Sequence, residues 1–246
     1  MSLSPTVPDR RRIYLMRHGH VDYFRDIPKF GHARLVPLTE QGIEQAQAAG
    51  EALARIPLDW ALCSGLPRTR QTAEHVLEEQ KKADNHLTLL DDERLEEIHG
   101  SGRVDFPASR KEAAAMLQGA FDRASAEGAS MGEGGETFSS AQTRAAAAIE
   151  GLLRQPDWKQ ALVVAHEGIN RILLSWLIGA DLRAVSAFEQ DLACINVLDL
   201  DLVHSESQGE GPIDHARLRA VNVTPYNYIK AGMHQTTLEH IFGVRN

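Results

Sequence analysis

Short apolar runs, each followed by polar residues, recur along this chain. They cover residues 13–16, 60–63, 87–90 and 161–165. Continuous apolar runs of this length are typical of strands that are buried on both faces of a parallel sheet. Amphipathic stretches lie between them, so the pattern predicts strands that alternate with helices in an α/β fold with a mostly parallel sheet.

The boundaries of the elements follow from the same pattern. The predicted strands cover residues 12–17, 58–63, 87–91, 161–165, 192–200 and 217–223. The predicted helices cover residues 39–55, 68–82, 109–128, 137–154 and 169–178. Thr39, Ser109 and Thr137 stand where a side chain caps the first turn of a helix. Residues 1–11 are predicted as a disordered leader and residues 12–246 as a single domain.

Three stretches interrupt the alternation. Residues 20–37 contain two prolines and a glycine and predict a long loop, which we expect to fold over the ligand pocket because loops of this length are usually functional. Residues 98–135 predict an insertion around one alanine-rich helix, and we expect this insertion to bury little apolar surface. Residues 203–214 are polar and predict an exposed hairpin loop.

Charged and polar side chains cluster where the predicted strands end. Arg17 and His18 follow the first strand, Arg68 the second, Glu97 the third and His166 the fourth. Ligands of open α/β sheets bind outside the carboxyl ends of the strands, so these residues are expected to converge although they are far apart in sequence. Arginine is permanently charged and donates hydrogen bonds in a planar fork, which suits a phosphate group.

The order of these motifs resembles the histidine phosphatase superfamily, the phosphoglycerate mutase-like proteins. Arg17-His18-Gly19 matches the signature of that family. Its further motifs are matched in the right order by Leu38–Gly42, Arg68 with Gln71–Ala73, Gly135–Thr137 and His166. The resemblance implies a three-layer α/β/α sandwich with a mostly parallel sheet, in which residues 98–135 form a small helical cap insertion.

The resemblance also implies a role for each residue of the cluster. In that family, the residues at the positions of Arg17, Arg68 and His166 hold the phosphoryl group. His18 is expected to be the nucleophile, a neutral imidazole whose second ring nitrogen donates to a carbonyl. Glu97 matches the general acid and base, which protonates the leaving oxygen and then activates water. No metal or other cofactor is implied.

Neighbouring side chains are assigned supporting roles or none. The acidic run 91–97 is expected to raise the pKa of one carboxyl group by like-charge repulsion, with Glu96 pointing away from Glu97. Ser64 and Thr72 are interpreted as turn and capping residues. Where the family often has a glycine directly after the histidine, this chain has Glu167, which is expected to point to solvent.

Two departures from the family favour a phosphatase over a mutase. Val21 and Phe24 stand where phosphoglycerate mutases usually have a hydroxyl and an amide. The insertion is also short, and its cations are Arg103, Arg110, Lys111 and Arg123. A mutase must bind a carboxylate and two phosphates, which demands more positive charge. Tyr23, Phe24 and Phe30 are candidates for an apolar or aromatic wall beside the leaving group, although core packing explains each of them equally well.

Three other functions stay open at this point. A mutase would transfer phosphoryl groups between positions of phosphoglycerate. A non-catalytic module on the same fold would bind phosphate without forming a phosphoenzyme. A metal-dependent hydrolase could use His18, His20 and Glu97, because a His-x-His pair on a strand can chelate a metal. No matching carboxylate-rich ligand set is evident in the sequence.

Composition narrows the range of partners. The 246 residues carry a net charge of −8, which argues against nucleic acid as the main ligand and leaves a local basic pocket to attract a phosphorylated small molecule. No apolar run approaches the ~20 residues that span a bilayer, so no membrane partner is expected. Cys63 and Cys194 are expected to be buried reduced thiols, which fits a cytoplasmic protein. The basic triplet Arg10–Arg12 is interpreted as a solvated flank, and the oligomeric state, a homodimer included, is left open.

Overall fold

A six-stranded sheet runs through the part of the chain that the computed structural model describes, which is residues 9–23, 34–100, 109–203 and 212–244. The strands are β1 (Asp9–Arg17), β2 (Trp60–Cys63), β3 (Leu89–Asp91), β4 (Gln160–Ala165), β5 (Ile195–Leu202) and β6 (Ile213–Val223). Their order across the sheet is β3-β2-β4-β1-β5-β6. Strands β1 to β4 are mutually parallel, whereas β5 is antiparallel to both of its neighbours. The predicted mostly parallel sheet is therefore confirmed.

Helices flank the sheet, both between these strands and after β6. Their bounds are α1 (Glu40–Leu53), α2 (Pro67–Lys82), α3 (Arg110–Asp122), α4 (Phe138–Leu153), α5 (Glu167–Leu177) and α6 (Thr237–Ile241). The three predicted capping residues all accept a hydrogen bond from a backbone N–H of the first turn: Thr39, Ser109 and Thr137. Capping satisfies donors that the first turn leaves without an intrahelical partner.

The sheet separates two apolar cores, because successive side chains of a strand point to opposite faces. From β1, Ile13 and Leu15 belong to the core shared with α3, α4 and α5. Tyr14 and Met16 belong to the core shared with α1 and α2. The helices therefore form layers on both sides, and the predicted three-layer α/β/α sandwich is confirmed.

The first strand is longer than predicted. It begins at Asp9, so residues 9–11, which the sequence assigned to a disordered leader, belong to the sheet; residues 1–8 lie outside the described part. Arg11 is buried, donates a hydrogen bond to the Trp158 carbonyl, and lies with its guanidinium carbon 5.1 Å from the centre of the Trp158 ring. Burial of the apolar stem and a cation–π contact hold this arginine against the core.

The basic triplet is therefore not a solvated flank, and that interpretation is wrong. Arg10 Nε lies 2.6 Å from Asp201 Oδ1, and Arg12 Nε lies 2.6 Å from Asp199 Oδ1. Both aspartates come from β5, which pairs with β1 but follows it by 187 to 191 positions in the chain. Local sequence contains no sign of such distant partners.

The insertion also differs from its prediction. Three alanines of α3 (Ala113, Ala114 and Ala120) and Phe121 are buried in the same core as α4 and α5, so the expectation that this segment buries little is wrong. Alanine side chains are small enough to let a helix approach its neighbours closely. The Phe121 ring packs against Phe138 of α4 at a centroid distance of 6.1 Å. Residues 101–108 of the insertion lie outside the described residues.

The remaining expectations have mixed outcomes. Cys63 and Cys194 are buried and free, as expected. Strand β6 begins at Ile213, inside the predicted exposed loop 203–214, and residues 204–211 are not described. None of the helices in the described ranges is long and apolar enough to cross a membrane.

Candidate active site

Three parallel strands end at the same level of the sheet. The last residue of β1, Arg17, is paired with Ala165 of β4, and Cys63 at the end of β2 is paired with Val164. The residues that directly follow these three strands are His18, His166 and Ser64. The ring centroids of His18 and His166 lie 5.3 Å apart. The structure thus brings together the two histidines that the sequence places 148 positions apart.

His18 is 2% exposed, and the backbone of the next residue orients its ring. Nδ1 lies 2.8 Å from the carbonyl oxygen of Gly19. A carbonyl only accepts, so Nδ1 carries the ring proton and Nε2 keeps its lone pair. Burial, followed by the charges of Arg68 and Arg17, holds the pKa of His18 well below its usual value. The imidazole is therefore neutral, and Nε2 can act as a nucleophile.

Gly19 allows the loop after β1 to contact the start of α1. A Cβ at this position would lie 2.4 Å from the carbonyl oxygen of Gly42, closer than any side chain tolerates. The Gly19 N–H donates to Thr72 Oγ1 at 3.0 Å, and Thr72 donates to the Arg68 carbonyl at 2.7 Å. Thr72 lies inside α2, so its interpretation as a cap is wrong. It connects the His18 loop to the helix that carries Arg68.

Arg17 is 2% exposed and is held at both terminal nitrogens. Nη1 donates to the Gln190 carbonyl, and Nη2 lies 3.2 Å from Glu167 Oε2. Nε is buried and finds no acceptor among the described residues. Buried donors in proteins are nearly always paired, so an unused one beside a nucleophile marks a site for an anion.

Arg68 and Tyr23 form the side of the site next to α2. Pro67 occupies the first turn of α2, where its missing N–H costs nothing, and the buried Arg68 follows it. The Arg68 guanidinium carbon lies 5.9 Å from the centre of the Tyr23 ring. Burial raises the pKa of Tyr23, whose ring lies within the fields of Arg68, Arg17 and Glu97. Residues 24–33 of the long loop, Phe24 and Phe30 included, lie outside the described residues.

His166 is fully buried and is contacted by the residue that follows β2. Ser64 Oγ lies 2.8 Å from His166 Nε2 and 2.9 Å from Thr69 Oγ1. Nδ1 has no partner within the described residues. When Ser64 donates to Nε2, the neutral ring carries its proton on Nδ1, which can then donate to an anion. Ser64 is thus more than the turn residue that the sequence indicated.

Glu97 reaches the same region from the segment after β3. Its Oε2 accepts from the Gly168 N–H at 3.2 Å, and its Oε1 accepts from the Ile98 N–H at 2.9 Å. Its pKa is raised chiefly by burial, and the charge of Glu167 adds to this rise. The expectation of a raised pKa is met, but the like charge comes from α5 and not from the acidic run 91–97.

The neighbouring Glu96 points away from Glu97, as expected. Its carboxylate forms a bidentate ion pair with Arg34, at 2.5 and 2.6 Å. Arg144 of α4 fixes the backbone of this segment by donating to the carbonyls of Glu96 and Glu97 at 2.7 and 3.1 Å. The direction of the Glu97 side chain is thus determined by contacts on both sides of the chain.

Glu167 does not point to solvent, and that expectation is wrong. It is 4% exposed, and its carboxylate lies between Arg17 of β1 and Arg171 of α5. Arg171 follows Glu167 by four positions on the same helix, whereas Arg17 lies 150 positions earlier, beyond the reach of a local pattern. The position of Glu167, at the first residue of α5, also places its negative charge at the positive end of the helix dipole.

A cavity of about 340 Å³ lies beside the loop that leaves the site. It is lined by His20, Val21, Asp22, Tyr23, Arg110, Ile241 and Gly243. The described part of its lining therefore combines one permanent cation and one carboxylate with an imidazole, a phenol and two apolar side chains. Among the residues described, no group of three or more histidines, cysteines and acidic residues is arranged to hold a metal ion. His18, His20 and Glu97 do not form such a group.

The geometry of the site defines a class of protein. Two buried arginines, and a histidine with a ring nitrogen that no described residue contacts, lie around a neutral histidine. A carboxyl group with a raised pKa completes the site. Such a site can bind a phosphoryl dianion and transfer it. The family model of the histidine phosphatase superfamily (branch 1) matches residues 13–207, and the chain belongs to this superfamily.

Relatives of known kind agree with this assignment. The chain is 28% identical to the adenosylcobalamin/α-ribazole phosphatase of Escherichia coli over 77% of this chain and 90% of that protein. It is 28% identical to a probable phosphoglycerate mutase of Yersinia pestis over 70% of this chain and 77% of that protein. The crystal structure of a putative α-ribazole-5'-phosphate phosphatase of E. coli superimposes with a TM-score of 0.64 at 28% identity, over 87% of this chain and 97% of the other. The chain is thus an enzyme of the phosphatase or phosphoglycerate mutase kind.

Proposed function

We propose that this chain is a metal-independent phosphomonoesterase that forms a phosphohistidine at Nε2 of His18. The observation that carries the proposal is the state of His18. Its Nδ1 proton is committed to the Gly19 carbonyl, its ring is held neutral, and two arginines are close enough to lower its pKa. A neutral imidazole beside cationic donors is what nucleophilic attack on a phosphate dianion requires.

In the first step, the phosphoryl oxygens accept hydrogen bonds from Arg17, Arg68 and His166. Nε2 of His18 attacks phosphorus in line with the leaving oxygen, and the bond between phosphorus and that oxygen breaks. Glu97, whose pKa is raised chiefly by burial, acts as the general acid and gives its proton to the leaving oxygen. The arginines offset the charge on the equatorial oxygens in the transition state.

In the second step, the Glu97 carboxylate accepts a proton from water. The water oxygen attacks phosphorus, the bond to His18 Nε2 breaks, and inorganic phosphate leaves. Glu97 is protonated again and His18 is neutral again, so the enzyme returns to its starting state. Each step is a single in-line displacement, which divides one difficult hydrolysis into two easier transfers.

The cavity beside the site supports a hydroxylated leaving group of low charge. Among the described lining residues, Arg110 is balanced by Asp22, whereas a second phosphate or a carboxylate would need surplus positive charge. The imidazole of His20 and the phenol of Tyr23 can hydrogen-bond to hydroxyl groups. The similarity to α-ribazole phosphatases makes a ribosyl phosphate the first substrate class to test.

A mutase is the second candidate, because probable phosphoglycerate mutases are among the relatives. Such an enzyme must grip phosphoglycerate by its carboxylate as well as its phosphates. The balanced charge of the cavity lining favours the phosphatase. Phosphoryl transfer between the 2- and 3-positions of phosphoglycerate, without release of inorganic phosphate, marks a mutase, whereas a phosphatase releases inorganic phosphate.

The test compares the wild type with His18→Ala on an aryl phosphate, each with and without EDTA. We expect EDTA to leave the wild-type rate unchanged and His18→Ala to lose roughly 10⁴-fold or more in turnover, because the nucleophile is gone. His86→Ala, which alters an exposed histidine, serves as the matched control. Circular dichroism checks the fold, and acid-labile phosphate on His18 is sought by mass spectrometry after rapid quenching.

Each other outcome points to a different function. Normal hydrolysis by His18→Ala contradicts the phosphohistidine route. Loss of activity with EDTA contradicts metal independence. A wild type that does not hydrolyse aryl or ribosyl phosphates but converts phosphoglycerate is a mutase. One that binds inorganic phosphate without any turnover is a non-catalytic module.

A further inference from the structure

Glu167 has no part in the two steps described above, yet it lies directly beside the residues that perform them. Its Oε2 is 3.2 Å from Arg17 Nη2. Its Oε1 is 2.8 Å from Arg171 Nη2 and 3.2 Å from Arg171 Nε. All three side chains are buried. A carboxylate thus joins two arginines in the interior, one from β1 and one from α5.

The second arginine anchors this arrangement to the insertion. Arg171 is fully buried, and its guanidinium carbon lies 4.8 Å from the centre of the Phe121 ring of α3. On its outer side, its Nη2 lies 3.2 Å from Glu189, whose side chain is 36% exposed. Arg171 is therefore held by packing and by two carboxylates, and it gives Glu167 a fixed position.

Fixing Glu167 fixes Arg17 in turn. The Arg17 guanidinium is held by the Gln190 carbonyl at Nη1 and by Glu167 at Nη2, while Nε keeps a donor that no described residue uses. A planar guanidinium held at two nitrogens has little rotational freedom left. Preorganised donors stabilise a transition state because they need no reorganisation during the reaction.

We propose that Glu167 is a positioning residue for phosphoryl transfer, which orients Arg17 toward the phosphoryl group and ties it through Arg171 to the α3 insertion. This inference rests on the proposed function, in which Arg17 holds the phosphoryl group. Glu167 itself touches neither His18 nor the phosphate. Its contribution acts through Arg17 and through its charge.

That charge also affects the general acid. The groups that face Glu97 are Arg17 from β1, Tyr23 from the loop after β1, and Glu167 and the Gly168 N–H from α5, with Arg144 of α4 on its backbone carbonyl. Glu167 raises the pKa of Glu97, whereas Arg17 lowers it. Removal of the Glu167 charge therefore lowers the pKa of Glu97, and the protonated acid is lost at a lower pH.

The test is Glu167→Gln, which keeps the size of the side chain and removes its charge. We expect kcat/KM for an aryl phosphate to fall about 10- to 100-fold, since small displacements of a positioning group cost this much. We also expect weaker inhibition by inorganic phosphate and a shift of the basic limb of the pH profile to lower pH. Glu150→Gln is the matched control: it removes the carboxylate of another (i, i+4) pair, formed with Arg154, and should leave all three measurements within about twofold or 0.2 pH units of wild type.

If the role of Glu167 is purely structural, Glu167→Gln has a lower melting temperature but the same inhibition by phosphate and the same basic limb of the pH profile as wild type. That result overturns the proposal. If Glu167→Gln does not fold, Glu167→Asp replaces it. The shorter carboxylate cannot span both arginines, so phosphate inhibition weakens while the pH limb stays. Unchanged inhibition in Glu167→Asp contradicts the proposal.

The same design separates this inference from the proposed function. If the wild type hydrolyses the aryl phosphate and Glu167→Gln equals it, the function stands and the positioning role fails. If the wild type hydrolyses nothing, the function fails. Titration calorimetry with inorganic phosphate then tests the positioning of Arg17 alone, with weaker binding expected for Glu167→Gln and equal binding overturning the proposal.

Discussion

Strand β1 carries arginines at both of its ends, and the two ends use them differently. Near its start, Arg10 and Arg12 each pair with an aspartate of β5 at 2.6 Å, and both arginine side chains keep contact with solvent. At its other end, Arg17 is buried against Glu167 with a donor that no described residue accepts. Arg10 and Arg12 are therefore paired with carboxylates of the chain, whereas Arg17 keeps one donor that no described residue accepts.

This difference separates stability from chemistry. An ion pair that is partly exposed contributes only about 0 to 1 kcal/mol to the free energy of unfolding, and it needs nothing further to be satisfied. A buried arginine with an unused donor lowers that free energy unless an anion accepts the hydrogen bond. We infer that the unused Arg17 donor lowers the free energy of unfolding of the protein without ligand. Bound phosphate would accept this hydrogen bond and remove the loss.

Substitution of one arginine from each end of β1 tests most directly whether the two ends have different roles. Arg17→Met removes a phosphoryl donor, so kcat/KM for an aryl phosphate should fall about 10³-fold, equivalent to about 4 kcal/mol in the activation free energy. Arg12→Met removes a paired arginine of the same strand and should leave kcat/KM within about twofold. Steady-state kinetics on both variants decides the matter, and equal losses in the two would contradict the division of roles along β1.

The packing behind the site end should matter for stability more than for chemistry. Phe121 is buried against Phe138 and beneath Arg171, so Phe121→Ala should lower the free energy of unfolding by about 3 kcal/mol through lost burial and a cavity. Urea denaturation measures the loss, with the exposed Lys111→Ala of the same helix as control. A loss below about 1 kcal/mol would show that the insertion packs only weakly, as its composition suggested.

Part of the fold and part of the site can be predicted from the sequence alone. The strand ends and the caps are predictable, because apolar runs and capping residues act over a few positions. Arg17, His18, Arg68 and His166 can be found because the motifs and the parallel sheet bring strand ends to one edge. Their chemical roles stay predictions until they are tested.

The errors share one physical cause, which is pairing over long distances in the chain. The sequence predicts that Glu167 faces solvent, because its partner Arg17 is distant in the chain. It predicts that Arg12 lies in a solvated flank, because its partner Asp199 is also distant. Charge alone predicts exposure, because an unpaired charge is costly to bury. Only the fold shows that each charge has a partner. The insertion is a related case, since its small alanines conceal how closely α3 approaches its neighbours.

Glu97→Gln tests whether Glu97 transfers a proton, in contrast to Arg17, whose proposed role is to bind the phosphoryl group. Gln cannot supply a proton, so turnover of an alkyl phosphate should fall about 10²-fold or more. An aryl phosphate with a good leaving group needs less protonation and should lose less in the first step. Burial raises the pKa of Glu97, so the basic limb of the wild-type profile lies above the ordinary range of a carboxyl group, and this limb should vanish in the variant. Equal losses on both substrates would argue against a general acid at this position.

The smallest effect is expected at the paired end of β1, in acid. Arg10 and Arg217 lower the pKa of Asp201 from 3.8 to about 2. A depressed carboxyl pKa gives stability that is present above the unfolded value of about 3.8 and is lost as the pH falls through the folded value.

Asp201→Asn should therefore be less stable than wild type near neutral pH, by about 1 kcal/mol or less. The difference should narrow between pH 4 and pH 2, as the wild type loses the charge that the variant lacks. Urea denaturation from pH 2 to pH 7 measures this difference, with the exposed Asp214→Asn of β6 as control. A pH-independent difference would show that the loss comes from packing and not from the ion pairs. Activity with an aryl phosphate should stay unchanged in Asp201→Asn, because the charges at this end of β1 do not take part in the site at the other.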